Sequence, residues 1–292
     1  MKVGLVDVDG HSNFPNIALM KLSAWHKQQG DHVEMVFPMT SYDRVYMSKV
    51  FDFSPDFNTC LDAKEIIKGG RAYDKKLKLP VEIENIYPDY SLYNITNTAY
   101  GYLSRGCPRA CEFCDVVNLE GRKSIKVANL DNFWNDHKNI VLLDPNITAC
   151  KDRIELLNQL ADSQAWIDFT QGLDIRFMTE EVAEIIGRMK IKMLHFAWDK
   201  LKDSKQIIKK LTEFKAVTQL DFRRLRVYVL VNFNSTIDDD LYRIYKLKEL
   251  GYDPFVMIFD KEHASKKIKR IARWVNNKFI FRCCERFEDY KD

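Results

Sequence analysis

The sequence predicts an α/β protein: a small doubly wound N-terminal module followed by a partial (βα)6 TIM-type barrel. Three observations carry this expectation. Short apolar runs alternate with helical stretches along most of the 292 residues, as parallel βα units require. The rhythm breaks over residues 79–93, which are rich in Pro, Tyr and Asn and lack clear periodicity. Beyond that break six strands can be counted, too few to close an eight-stranded barrel.

Taken in order, Lys2–Val8 is a short apolar run ending in acidic and glycine residues, the pattern of a buried strand. Apolar Ile17, Leu19, Met20, Leu22, Ala24 and Trp25 follow a helical stripe from Asn16 to Gln29, and Gly30 is placed to stop it. His32–Phe37 and Arg44–Phe51 read as strands, and the stretch around Ala63–Lys68 as helical, punctuated by Gly69 and Gly70. The break sets the expected boundary: one domain over 1–90, a second over 91–292. In the second, strands are expected near Tyr100–Leu103, Ile140–Leu143, Trp166–Thr170, Met193–Trp198, Val227–Val231 and Phe255–Phe259. Helices fall between most of them, at Lys151–Ala161, Glu180–Met189, Ser204–Val217 and Asp238–Leu250.

Composition excludes several classes. Apolar residues make up 46% and charged residues 30%, which suits a globular chain and not a disordered one. A net charge of +3 creates no global field toward nucleic acid. No apolar stretch reaches a membrane span, and no signal-peptide pattern precedes the first strand, so the expectation is a cytoplasmic protein without a membrane partner. The seven cysteines are odd in number and do not suggest a disulfide framework.

Three of those cysteines lie within eight residues. The segment GYLSRGCPRACEFCDV spaces Cys107, Cys111 and Cys114 as C-x3-C-x2-C directly after an expected strand. Thiolates are soft ligands that suit iron–sulfur clusters and zinc. Three on one loop can hold three irons of a cubane and leave the fourth open, whereas structural zinc normally takes four protein ligands. No further Cys or His follows before His137. Gly106 and Pro108 suit a loop that wraps a bulky group.

C-x3-C-x-φ-C, with Phe113 as the aromatic before the last cysteine, resembles the signature of the radical-SAM superfamily. The run GYLSRGCPRAC resembles the subset with a cobalamin-binding-like domain ahead of the barrel, here truncated. The resemblance implies a 4Fe–4S cluster on Cys107, Cys111 and Cys114, with S-adenosylmethionine chelating the open iron. One electron then yields methionine and a 5′-deoxyadenosyl radical that abstracts hydrogen from a substrate. A one-electron donor of the flavodoxin or ferredoxin type is implied as partner.

Barrel sites lie at the C-terminal ends of the strands. Polar residues there are Asp144, Gln171, Asp174, Arg176, Asp199, Asn232 and Asn234. Arg176 is the expected partner of the S-adenosylmethionine carboxylate, because an arginine binds a carboxylate bidentately. Gln171, Asp174 and Asn232 are further cofactor-binding candidates, together with Phe113. Arg105 and Arg109 flank the cysteines and can offset cluster charge.

Asp9 and His11 echo the D-x-H-x-x-G motif of cobalamin domains, but Phe14 stands where the glycine belongs. Ser48 to Val50 and Gly69-Gly70 echo later elements of that motif set. With so short a domain and a bulky Phe14, the expectation is a scaffold or lid that does not hold cobalamin. The basic stretch Lys261–Arg282 reads as the solvated face of a last helix, with Ile268, Ile271, Ala272 and Val275 inward; it leaves nucleic acid open as a substrate. The alternatives are a cobalamin-dependent radical methyltransferase and a non-catalytic iron–sulfur or zinc nucleic-acid-binding protein.

Overall fold

The computed structural model describes residues 1–10 and 14–291, so His11 and the centre of its motif lie outside the described residues. The chain divides into two compact units: Met1–Gly101 with Ala128–Lys138, and Tyr102–Val127 with Asn139–Asp292.

The first unit opens with β1 (Lys2–Asp7), α1 (Ile17–Gln28), β2 (His32–Met35), β3 (Ser41–Ser48) and β4 (Asp62–Gly69). The strands pair in parallel in the order β2-β1-β3-β4. Helix α1 starts where the Asn16 side chain accepts from the Leu19 amide, and the chain leaves it at Gly30 with φ +80°. Val3 and Leu5 of β1 pack with Leu19 and Leu22 of α1. Val6, Val45 and Met47 form a second cluster, against which Phe57, Leu61 and Tyr73 pack from loops. One face of the sheet is thus covered by helix and the other by loop.

Two expectations change here. Ala63–Lys68 is strand, not helix: its residues have good helix propensity, but the run is short, and pairing along the whole of β3 overrides local preference. The aperiodic stretch 79–93 is folded, with α2 (Val81–Glu84) and a 3-10 turn at Tyr90–Tyr93 burying Ile83 and Tyr90.

The remaining elements are β5 (Thr98–Gly101), β6 (Ser104–Arg105), α3 (Val116–Glu120), β7 (Ile125–Lys126), β8 (Asn139–Leu142), α4 (Arg153–Asp162), β9 (Trp166–Phe169), α5 (Glu180–Gly187), β10 (Lys190–Ala197), α6 (Ser204–Thr218), β11 (Leu225–Val231), α7 (Ile237–Leu250), β12 (Asp253–Ile258), α8 (Lys266–Asn276) and α9 (Lys278–Cys283). The second sheet has the order β12-β11-β10-β9-β8-β5, and its pairs from β8 to β12 are parallel. The α/β class with parallel sheets is therefore as the alternation predicts.

In the second unit β9, β12 and the first half of β11 alternate between a buried face and a half-open one. Leu225, Val227 and Val229 of β11 are fully buried, while Arg226 and Tyr228 between them are half-buried. Phe196 of β10 packs edge-on against Phe214 of α6, which marks the helix-covered side. Arg243 of α7 is fully buried, pairs with Asp240, and donates to the carbonyls of Trp198 and Leu230. It ties the ends of β10 and β11 to the helix above them. On α8, Ile268, Ile271, Trp274 and Val275 are buried, and its lysines face outward. Among the described residues no helix is long and apolar enough to cross a membrane.

Candidate functional site

The cysteine loop runs from the end of β6 into α3. Two backbone features shape it. Gly106 has φ +89°, and a Cβ there would run into the carbonyl oxygen of Lys123, so only glycine fits. Ala110 also adopts the left-handed region, at φ +46°, between the first two cysteines. The Cys107 amide donates to the Gly121 carbonyl, and the Cys114 amide to that of Cys111.

The loop is anchored from below by Asp144, at the end of β8. This carboxylate is almost wholly buried and accepts from the amides of Leu103 and Ser104 and from the Ser104 hydroxyl. Burial pushes its pKa up to about 7, although those three donors work the other way. Asp144 is therefore a structural latch rather than an open ligand. Arg105 is engaged beside it, stacked over Tyr102 and paired with Glu120 at 3.0 Å.

All three cysteines are free thiols; Cys107 and Cys111 are half-buried and Cys114 is exposed. Burial raises the Cys111 thiol, and Asp199 and the other two cysteines add to the effect while Arg109 opposes it. The three sulfurs are thus within electrostatic reach of one another. Among the described residues no group of three or more His, Cys, Asp or Glu is gathered as a metal site. The donor set nonetheless fits an iron–sulfur cluster: three soft, solvent-reachable thiols on one loop. Asn146 also donates its amide to the Cys107 sulfur at 3.3 Å, the kind of contact that tunes a cluster ligand.

Around the loop, the segments after β9 and β10 supply an ionic network. Asp174 caps a 3-10 turn by accepting from the Arg176 amide, and also takes the Arg176 Nε at 2.7 Å. Arg176 reaches Asp203 at 2.9 Å. Arg109, from between the cysteines, lies 3.7 Å from Asp174 and 3.6 Å from Asp203. Lys200 holds Glu112 at 3.0 Å. Asp174 keeps one buried carboxylate oxygen without a hydrogen bond. Burial lifts Asp199 to about 6 despite the nearby Arg176, Arg243 and Arg109.

Of the residues singled out from sequence, Asp174, Arg176, Arg109 and Asp199 therefore come together beside Cys111. Arg176 holds the two carboxylates at 2.7 and 2.9 Å and Arg109 approaches them only to 3.6–3.7 Å, which leaves the half-exposed Arg109 as the more available guanidinium. Phe113 meets Phe233 edge-on at 5.4 Å, and Phe233 meets Phe259 at 4.8 Å. Asn232 has φ +64° and donates its amide to the Phe259 carbonyl, bridging the ends of β11 and β12. Gln171 stands exposed, without a hydrogen bond among the described residues.

Sequence reasoning missed the middle of the strands. His195 on β10 is buried and gives Nδ1 to the Phe169 carbonyl at 2.9 Å. A carbonyl only accepts, so Nδ1 carries the proton. Burial lowers its pKa to about 4, and its ring stacks on Tyr228 with centroids 4.9 Å apart. Tyr228 donates to the Thr170 carbonyl, and Asp168 on β9 holds a buried oxygen without a partner. The only signal in the sequence was a polar residue inside an apolar run at each of these positions.

No family model matches this chain, and no curated protein matches its sequence.

Proposed function

We propose that this protein is a radical-SAM enzyme. The first unit is then a scaffold derived from a cobalamin-domain-like module, and the second a partial barrel. The observation that carries the reading is the cysteine loop: three free thiols in C-x3-C-x2-C spacing, shaped by Gly106 and latched by Asp144 at the carboxyl end of a parallel strand.

Cys107, Cys111 and Cys114 would hold the 4Fe–4S cluster. When bound, that cluster supplies the electron for reductive cleavage of S-adenosylmethionine to methionine and a 5′-deoxyadenosyl radical. This chain's own residues do the rest by position and electrostatics. Arg109 offsets thiolate charge and offers a half-exposed guanidinium to a carboxylate. Arg176 with Asp174 and Asp203 fixes the neighbouring loops. Asp199 and the Asp174 oxygen that makes no hydrogen bond can accept from hydroxyl or ammonium groups. Phe113, with Phe233 behind it, gives an apolar wall at the loop. A one-electron donor of flavodoxin or ferredoxin type is the partner this reading requires.

The reading takes the first sheet as a scaffold without a corrin. What supports this lies at the carboxyl ends of β1 and β3, where such sheets bind ligands and where the chain's own groups bond to one another. Asp9 accepts from the Val50 amide and the Ser54 hydroxyl, and Asn16 donates to Ser48 at 2.8 Å.

Anaerobic reconstitution followed by iron and sulfide analysis tests the cluster, with about four of each per chain expected. Incubation with S-adenosylmethionine and dithionite then tests the chemistry, with 5′-deoxyadenosine followed by chromatography. Wild type should form it and Cys111→Ala should not. An intact cluster that never yields 5′-deoxyadenosine favours the non-catalytic alternative.

A further inference from the structure

The open face of the second sheet carries polar groups that the cysteine loop does not use. Strand register sets them side by side: His195 of β10 pairs with Arg226 of β11, and Tyr228 lies two residues further along. Asp168 on β9 feels both Lys192 and Arg226, and Tyr228 feels both Asp168 and Arg226. These side chains form one cluster.

The cluster has unmet bonding capacity. Arg226 lies over the Phe255 ring at 5.4 Å, and among the described residues it has neither a hydrogen bond nor an ion pair. One oxygen of Asp168 is buried with no partner. With Nδ1 of His195 given to Phe169, its Nε2 is the ring's acceptor and makes no hydrogen bond among the described residues; of these groups the Asp168 oxygen is the buried one. Buried polar atoms are rarely left unsatisfied without a ligand, a water or a catalytic reason.

At its amino-terminal end the cluster continues into a narrow recess lined by Arg226, Asp253, Phe255, Lys278 and Arg282 among others. Three cations face it. Asp253 pairs with Lys278 at 3.3 Å and Arg282 at 3.5 Å, so one carboxylate serves two of them, while Arg226 has no ion pair among the described residues. The recess is narrow, and Arg226, Lys278 and Arg282 line it together. A planar guanidinium with an adjacent ammonium is the donor set that binds carboxylate or phosphate.

We propose that this face binds a small ligand with an oxyanion, carboxylate or phosphate, at Arg226 and Lys278, and with an N–H or O–H edge at Asp168 and His195. In the reading above, on which this step rests, that ligand is the substrate. The basic face of α8 is a different surface. Its cations are spread along one helix, and Ile268, Ile271, Trp274 and Val275 hold it to its own unit.

Calorimetric titration of the full chain with inorganic phosphate and, separately, with acetate tests the proposal, with chloride matching ionic strength. Saturable binding of at least one anion is expected, and which one binds decides between phosphate and carboxylate. Arg226→Gln should weaken it about tenfold or more, since a hydrogen bond to a charged group is lost. Lys278→Gln lies outside the sheet and gives a second test if Arg226→Gln fails to fold; it should weaken binding by a smaller factor. Lys267→Gln on α8 should leave it unchanged. No saturable binding of either anion, or equal binding by both site variants, overturns the proposal. Repeating the titration with Cys111→Ala separates this step from the reading it rests on: anion binding should persist in a chain that cannot load iron.

Discussion

The two parallel sheets treat their polar groups in opposite ways. At the carboxyl edge of the first, side chains close on one another: Asp9 on Val50 and Ser54, Asn16 on Ser48, Tyr93 on Asp7, and Lys49 on Asp56. In the second, capacity is left over among the described residues: three free thiols, a buried oxygen without a hydrogen bond on Asp168 and another on Asp174, and an Arg226 that makes no hydrogen bond. Both sheets have the same parallel architecture, whose carboxyl ends are the usual ligand sites. The difference shows that topology only offers a site. What distinguishes a scaffold from a candidate site is whether the chain has already satisfied its own polar atoms there.

Glycine substitutions give the largest expected contrast. Gly70 and Gly106 both have φ +89°, and a Cβ at either would collide with a carbonyl oxygen, of Lys49 and Lys123 respectively. Gly106→Ala should abolish iron loading on reconstitution. Gly70→Ala should lower the melting temperature and leave iron and sulfide per folded chain unchanged. Equal iron loss in both variants would remove the distinction between the two regions. Next in size is Asp9→Ala, which leaves a part-buried amide and a buried hydroxyl without their acceptor. Each unsatisfied donor costs about 1–3 kcal/mol, so a loss of roughly 2–4 kcal/mol in urea unfolding is expected.

Much of this arrangement is legible in sequence. Five of the expected strands in the second half fall at β8 to β12, and four expected helices at α4 to α7, because apolar period and caps agree there. Thr179, for instance, accepts from the Val182 amide at the start of α5. The segment Ala63–Lys68 was not legible, since only its partner β3 makes it a strand. In the site, the cysteines, Asp174 and Arg176 announce themselves by spacing and by position at strand ends. His195, Asp168 and Tyr228 do not. Their role depends on which face of a strand they take and on the β-bulge between Ile191 and Met193 that sets the register of β10, neither of which a single run of residues reveals.

Acidity sharpens the comparison further through Asp144. Its folded pKa of about 7 lies above the unfolded value of 3.8, so the protonated form is favoured in the fold. Stability tied to this group is therefore complete below about pH 4 and is lost as pH rises toward 7. Asp199 acts in the same direction, and His195, lowered to about 4, acts oppositely as pH falls below 6.5. The informative quantity is thus wild type minus Asp144→Asn. That difference should change by on the order of 2 kcal/mol between pH 5 and pH 7 in urea unfolding. A difference independent of pH would mean that Asp144 is ionised and fully solvated in effect.

The smallest expected effect is also the one with an unusual sign. Asp168 sits on the open face with a buried, unpartnered oxygen, and burial raises its pKa. Asp168→Asn removes a charge that the fold disfavours and keeps the shape. Urea unfolding at pH 7 should find it unchanged or up to about 1 kcal/mol more stable than wild type. An ordinary core carboxylate such as Asp9 responds in the opposite direction when altered. If Asp168→Asn is clearly destabilised, the carboxylate is serving the fold through a partner such as Lys192 or Arg226, and the second sheet then resembles the first. If it is as stable as predicted and also binds the anion probe with unchanged affinity, Asp168 acts on the donor edge of the ligand alone, which separates the two ends of the proposed site.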